Sequence, residues 1–366
     1  MPPFADVAEA VTAVDVEAGA REAALQDTLT KPPGALGRLE EASVRLAAIA
    51  GCSPPPVPEP AAVAVFAGDH GVVAEGVTPW PQEVTGQMVA NFCAGGAAVN
   101  VLGAHVGARV VVVDVGVASE LGHLPGLRQA KVRAGAGNIA RGPAMTAEEL
   151  GAALDAGASV AADLLADGAR CLLTGDMGIG NTTPSAALIA ALTGAAPDAV
   201  TGRGTGIDDE RLAIKVAVVR RAVARLAPDA PPETVLAEVG GLEIAALAGF
   251  IVGGAAGRVP VVLDGVIAGA AALGAVAMVP AVAGYLFAGH RSTEPGAAAV
   301  LGSLGLRPLV DLDLRLGEGT GACLALPVLQ AAAKITRQMA SFGSAGVSEQ
   351  ATPAGLRSSP PVSLGS

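Results

Sequence analysis

Six short apolar runs along the chain end the same way, in glycine beside an acid or a histidine. Ala61–Phe66 leads into Ala67-Gly68-Asp69-His70-Gly71, Arg109–Val113 into Asp114-Val115-Gly116, and Cys171–Thr174 into Gly175-Asp176-Met177-Gly178-Ile179-Gly180-Asn181-Thr182-Thr183. Val259–Leu263 leads into Asp264-Gly265, Ala283–Phe287 into Ala288-Gly289-His290-Arg291-Ser292, and Leu309–Leu316 into Gly317-Glu318-Gly319. The runs do not alternate cleanly, as expected of strands buried on both faces. Helical segments separate them, at 146–165, 184–192, 208–226, 266–278 and 319–339. The alternation predicts an α/β fold with a doubly wound, mostly parallel, Rossmann-like sheet. All strand ends then share one edge, where such sheets bind ligands.

Outside this frame, residues 5–27 and 36–50 read as two helices joined by the Pro/Gly loop that carries Lys31 and Arg38. Residues 1–52 are expected to form a small helical lobe, which the end of the last long helix could join. The Pro-rich run Ser53–Pro60 leads into the main α/β domain, 61–340. Residues 341–366, rich in Ser, Gly and Pro, are expected to be a flexible tail.

Composition narrows the partners. A net charge of −11 and 2% aromatic residues argue against a nucleic-acid track. The uncharged stretch Gly265–Gly289 is long enough to cross a membrane, but its Ala, Gly and Val content, Pro280 and polar flanks fit a buried helix and strand better. No basic and then apolar leader opens the sequence. Four scattered cysteines read as reduced thiols in a cytoplasmic protein, and no metal-ligand spacing occurs among the four histidines. No metal or cofactor is expected.

The site candidates follow from the strand ends. Glu318, alone between glycines and next to apolar Leu316, has the setting of a proton acceptor whose pKa burial would raise. A solvated loop glutamate is the ordinary alternative. The loop from Gly175 to Pro184 opens a helix and offers backbone N–H groups at Gly178 and Gly180, with Asn181 and Thr182 as side-chain donors for an anion. It is neither a Walker loop nor a complete G-x-G-x-x-G. A second glycine cluster, 202–206, precedes a helix bearing Lys215, and Ser292 lies at another strand end. Trp80, the only tryptophan, could stack on a planar ligand or anchor its own loop. His70 and Asp264 read equally well as structural groups.

Five blocks then occur in one order: K-P-P-G-A-L-G-R-L-E from Lys31, A-G-D-H-G-V from Ala67, G-D-M-G-I-G-N-T-T-P from Gly175, L-D-G from Leu263 and R-L-G-E-G-T-G-A from Arg315. Together they resemble the nicotinate-nucleotide:dimethylbenzimidazole phosphoribosyltransferases, the CobT family of cobalamin biosynthesis, over roughly residues 5–340. The resemblance implies transfer of ribose 5-phosphate from nicotinate mononucleotide to 5,6-dimethylbenzimidazole, by a homodimer that requires no cofactor. Glu318 matches the family's catalytic base. Asp176 matches a second carboxylate that is commonly Glu, and the shorter side chain favours an orienting role. By the same carry-over, Gly178, Asn181, Lys215, Ser292 and Gly321 hold the phosphate and ribose. Trp80, Gln87, Met177 and Leu316 surround the base. The rivals are the same transfer to adenine, another benzimidazole or a phenol, and a non-enzymatic nucleotide sensor of the same fold. A nicotinamide-dependent dehydrogenase lacks its glycine fingerprint here.

Overall fold

Ala61–Gly68 forms β1, and all eight of its residues are buried. Small and β-branched side chains suit a strand covered on both faces. In the computed structural model, which describes residues 3–348, β1 is the centre of a six-stranded sheet. Its other members are β2 (Ala108–Gly116), β3 (Leu127–Gln129), β4 (Cys171–Met177), β5 (Val261–Leu263) and β6 (Leu286–Ala288). The spatial order is β3-β2-β1-β4-β5-β6, and every pair is parallel. The chain winds outward from β1 in both directions, so the crevice between the ends of β1 and β4 is the topological switch point. Asp69-His70 and Asp176-Met177 stand there.

Several expected helices occur within a few residues of their expected bounds: Ala147–Ala166, Thr182–Thr193, Asp209–Val223, Val266–Met278 and Thr320–Gln338. The uncharged stretch after Asp264 is the helix Val266–Met278, a 3-10 turn Pro280–Tyr285 and β6. Residues 5–27, expected as one helix, are two, Phe4–Glu9 and Val16–Thr28. Asp15 explains the break: its carboxylate accepts the Ala18 N–H and starts a new helix.

Leu309–Leu316 is not a strand. It meets the end of β6 through the single bridge His290–Val310, with Leu309 N–H donating to Ala288 O and Arg291 N–H to Val310 O. Asp313, at φ +55°, then turns the backbone out of extended geometry. Five further helices of eight or more residues lie outside the sequence expectation: Glu83–Cys93, Ala98–Val106, Pro232–Val239, Leu242–Ala256 and Gly296–Ser303. Leu242–Ala256 is apolar almost all round and buried from Leu242 to Ala255, so it carries no amphipathic period to detect.

Among the described residues, only Glu83–Val106 is apolar and long enough to span a membrane by composition and length. It is two helices, Glu83–Cys93 and Ala98–Val106, parted by a turn. At the two ends of the chain, Arg38–Ala50 packs on both Val16–Thr28 and Thr320–Gln338. Leu29 bridges Ser341, and Thr30 N–H donates to Ala340 O. Within the stretch expected as a tail, residues 342–345 form one short helix turn, and 349–366 lie outside the described residues.

Candidate active site

The Gly317-Glu318-Gly319 turn is left-handed at all three residues, with φ of +82°, +67° and +96°. Glycine adopts this freely, whereas Glu318 is held there at a cost of about 1–2 kcal/mol. Its backbone lies on β4, where Gly175 makes the approach possible: a Cβ there would stand 2.6 Å from Glu318 O. The turn closes through Thr320, whose N–H and Oγ both donate to Gly317 O, at 3.1 and 2.8 Å. Glu318 is 7% exposed. Burial, and next the charge of Asp264, push its carboxyl up to about 7, within the range of a working base.

Asp176 stands across from this turn, its carboxylate 3.4 Å from where a Cβ of Gly317 would lie. Oδ2 accepts from Asn181 Nδ2 at 2.8 Å, and Oδ1 has no partner among the described residues. Burial first, then the charge of Asp264, hold its pKa well above the usual carboxylate range. Burial thus favours the protonated form of Asp176 more than an exposed carboxyl would allow. The two predicted carboxylates come together, and burial raises the pKa of both.

The glycine loop after β4 is fixed from below. His70 Nε2 and Glu243 Oε1 are 2.6 Å apart and sealed from solvent. Burial works against charge on His70, but the carboxylates of Glu243 and Asp69 outweigh it and raise its pKa. Gly178 sits against this pair, 3.2 Å from His70 Nε2 as measured from where its Cβ would be. Ile179 N–H donates to Thr85 Oγ1 at 3.0 Å. The loop is thereby tied to Glu83–Cys93, the helix that carries Gln87.

Lys215 is 2% exposed. It donates to Thr182 Oγ1 at 2.7 Å and to Gly202 O at 2.9 Å, joining the two glycine clusters. Burial lowers its pKa to about 8, partly offset by Glu294, which also accepts the Gly204 N–H at 2.8 Å. Arg211, one turn before Lys215, reaches Thr78 O at 3.3 Å and so holds the Trp80 loop. Its position four residues from Lys215 on one helix was the available signal.

Gly321 does not present a free N–H: that group donates to Asp264 Oδ1 at 2.7 Å. A Cβ on Gly321 would fall 1.9 Å from the His290 ring, so close packing accounts for glycine here. Ser292 is buried at the end of β6. It lines, with Asp264 and His290, a small cavity of about 20 Å³. Trp80 and Leu316 are 49% and 57% exposed, Gln87 is exposed, and Met177 is half-buried at the end of β4. An open depression of about 670 Å³ near the start of β2 takes in none of these groups, and Arg109 and Arg128 on it are already paired to Asp167 and Asp163.

Lys31, in the Pro/Gly loop between the N-terminal helices, is 5% exposed in its side chain and paired to Glu40 at 2.8 Å. Glu40 also accepts the N–H groups of Gly34 and Leu36, at 3.2 and 3.0 Å. No group of three or more His, Cys, Asp or Glu suited to a metal occurs among the described residues.

A family model described as "Phosphoribosyltransferase" matches residues 11–347. The chain belongs to that family. It is 57% identical over 356 residues to the nicotinate-nucleotide–dimethylbenzimidazole phosphoribosyltransferase of Salinispora tropica, covering 93% of this chain and 98% of that one. The Thermus thermophilus protein of the same name is 54% identical, over 92% and 99% of the two chains. A crystal structure of CobT from Thermus thermophilus superposes with a TM-score of 0.89 at 54% identity, over 91% of this chain and all of that one. The buried carboxylates at the sheet edge therefore belong to a phosphoribosyltransferase scaffold.

Proposed function

We propose that the protein transfers ribose 5-phosphate from nicotinate mononucleotide to 5,6-dimethylbenzimidazole, giving α-ribazole 5′-phosphate and nicotinate with inversion at the anomeric carbon. The names of the close relatives support the substrates. The observation that carries the mechanism is Glu318, a buried carboxylate with a pKa near 7 in a fixed turn.

The azole nitrogen attacks C1′ as the bond from C1′ to the pyridinium breaks. The electron pair of that bond returns to the pyridine nitrogen, which leaves neutral. Bonding one azole nitrogen acidifies the N–H of the other, and Glu318 accepts that proton. The pyridinium needs no strong acid to depart, which suits a site with a single base. Asp176, which faces the Gly317 turn, is assigned an orienting role. Lys215, Asn181, Ser292 and the loop from Gly178 to Gly180 are assigned to the phosphate and ribose. Gly321, expected in the same set, has its N–H engaged by Asp264 and is left out of it.

Trp80, Gln87, Met177 and Leu316 are assigned to the base. Their exposure fits a pocket completed by a second body, and we assign that role to a homodimer partner bringing its small helical lobe, residues 1–52. The large domain, 61–340, carries the chemistry, and the four free cysteines fit the cytoplasm.

The test is to incubate the protein with nicotinate mononucleotide and dimethylbenzimidazole and follow nicotinate by chromatography. Release of nicotinate with an α-linked benzimidazole nucleotide supports the reading. Release only with adenine, another benzimidazole or a phenol keeps the mechanism and changes the acceptor. No release with any acceptor overturns it in favour of a nucleotide sensor.

A further inference from the structure

Asp264 directly follows β5 and is buried. Its own N–H donates to Thr174 Oγ1 on β4 at 2.9 Å, which ties the end of β5 to its neighbouring strand. That carboxylate accepts three backbone N–H groups of one turn: Gly319 on Oδ2 at 3.1 Å, and Gly321 and Ala322 on Oδ1 at 2.7 and 3.1 Å. These belong to the donors that a helix leaves unsatisfied at its start. Glu318 lies immediately before them in a strained left-handed conformation, which persists only where the surroundings hold it.

We propose that Asp264 is a positioning residue for the transfer reaction, fixing the Glu318 turn through these three hydrogen bonds and setting a second buried carboxylate beside the base. The inference rests on the reading of Glu318 as proton acceptor. Three carboxylates come to Glu318 from the elements packed around it: Asp264 from directly after β5, Asp176 from β4 and, behind Asp176, Glu243 from Leu242–Ala256. His290 Nε2 lies 3.8 Å from Asp264 Oδ1. Removing the charge at 264 makes Glu318 a weaker base, and loosening the turn misplaces it.

Asp264→Asn keeps an acceptor oxygen and removes the charge, whereas Asp264→Glu keeps the charge and displaces it. In Asp264→Asn, kcat should fall roughly 10- to 100-fold, with little change in KM for nicotinate mononucleotide. The acid limb of its pH profile should move down by about one pH unit. Asp264→Glu should lose kcat with the limb in place. In a Glu318→Gln background, Asp264→Asn should change kcat by less than about twofold, because both act through one group.

An inactive Glu318→Gln together with wild-type kcat and pH limb in Asp264→Asn would overturn the role of Asp264 alone. Near-wild-type turnover in Glu318→Gln would overturn the base reading and this one with it. If Asp264→Asn does not fold, as judged by its melting curve, wild-type kcat in Asp264→Glu overturns the inference.

Discussion

At the scale of single residues, burial raises the pKa of two carboxylates that share one sheet edge, Glu318 and Asp176. Glu318 must be ionised to accept a proton, and its carboxyl titrates near 7. We therefore expect kcat/KM to fall about tenfold per pH unit below that point. Glu318→Gln should lose roughly 10²–10⁴ in kcat together with this limb, while azole binding, measured by equilibrium dialysis, is kept. Lys215 gives the opposite limb. Its charge is present below about 8 and lost above it, so KM for the nucleotide should rise on the alkaline side. Lys215→Met should raise KM at neutral pH and flatten that rise, whereas an alkaline limb surviving in the variant would assign it elsewhere. Glu318, Asn181 and Lys215 were legible in the sequence because glycine turns or helix starts flank each. The His70–Glu243 pair was not, since 173 residues separate its members and neither lies in a motif that points to the other.

At the scale of elements, the sheet was legible from apolar runs ending in glycine, and its limits have physical causes. β3 has three residues, none of them buried, too few for a period to emerge. Leu309–Leu316 has the apolar content of a strand but pairs only at Val310, and Asp313 beyond it takes a positive φ. Leu242–Ala256 carries no polar face, so only its length separates it from a buried strand. It lies across Ala147–Ala166 at close range: a Cβ on Gly249 would stand 2.1 Å from Leu154 O, and one on Gly157 1.8 Å from Ala246 O. Gly249→Ala gains about 1 kcal/mol in helix propensity but forces the helices apart, at about 1–3 kcal/mol or more. We expect a net loss of stability, read as a lower urea midpoint at unchanged slope. Because Glu243 opens the same helix, the displacement should also weaken nucleotide binding.

At the scale of the whole molecule, the acidic edge sets a stability that depends on pH. Asp176 has a folded pKa raised above its unfolded value. The folded state then binds the extra proton, and the contribution is full below the unfolded pKa and lost as pH rises through the folded one. Asp176→Asn removes this loss, so its melting temperature should exceed that of the wild type more at pH 8 than at pH 5. A constant difference across that range would place the effect in packing instead. The net charge of −11 acts in the same direction, since self-repulsion grows as the remaining groups ionise. The same long-range architecture has a consequence for synthesis. The helix that follows Glu318 packs on Arg38–Ala50, yet roughly 280 residues separate the two along the chain. At about 5–20 residues per second, the earlier helix waits about 15–60 s on the ribosome before its partner is made. Through that interval the nascent chain carries an uncovered apolar face and lacks Glu318, so one late segment supplies both the cover for that face and the buried carboxylate of the site.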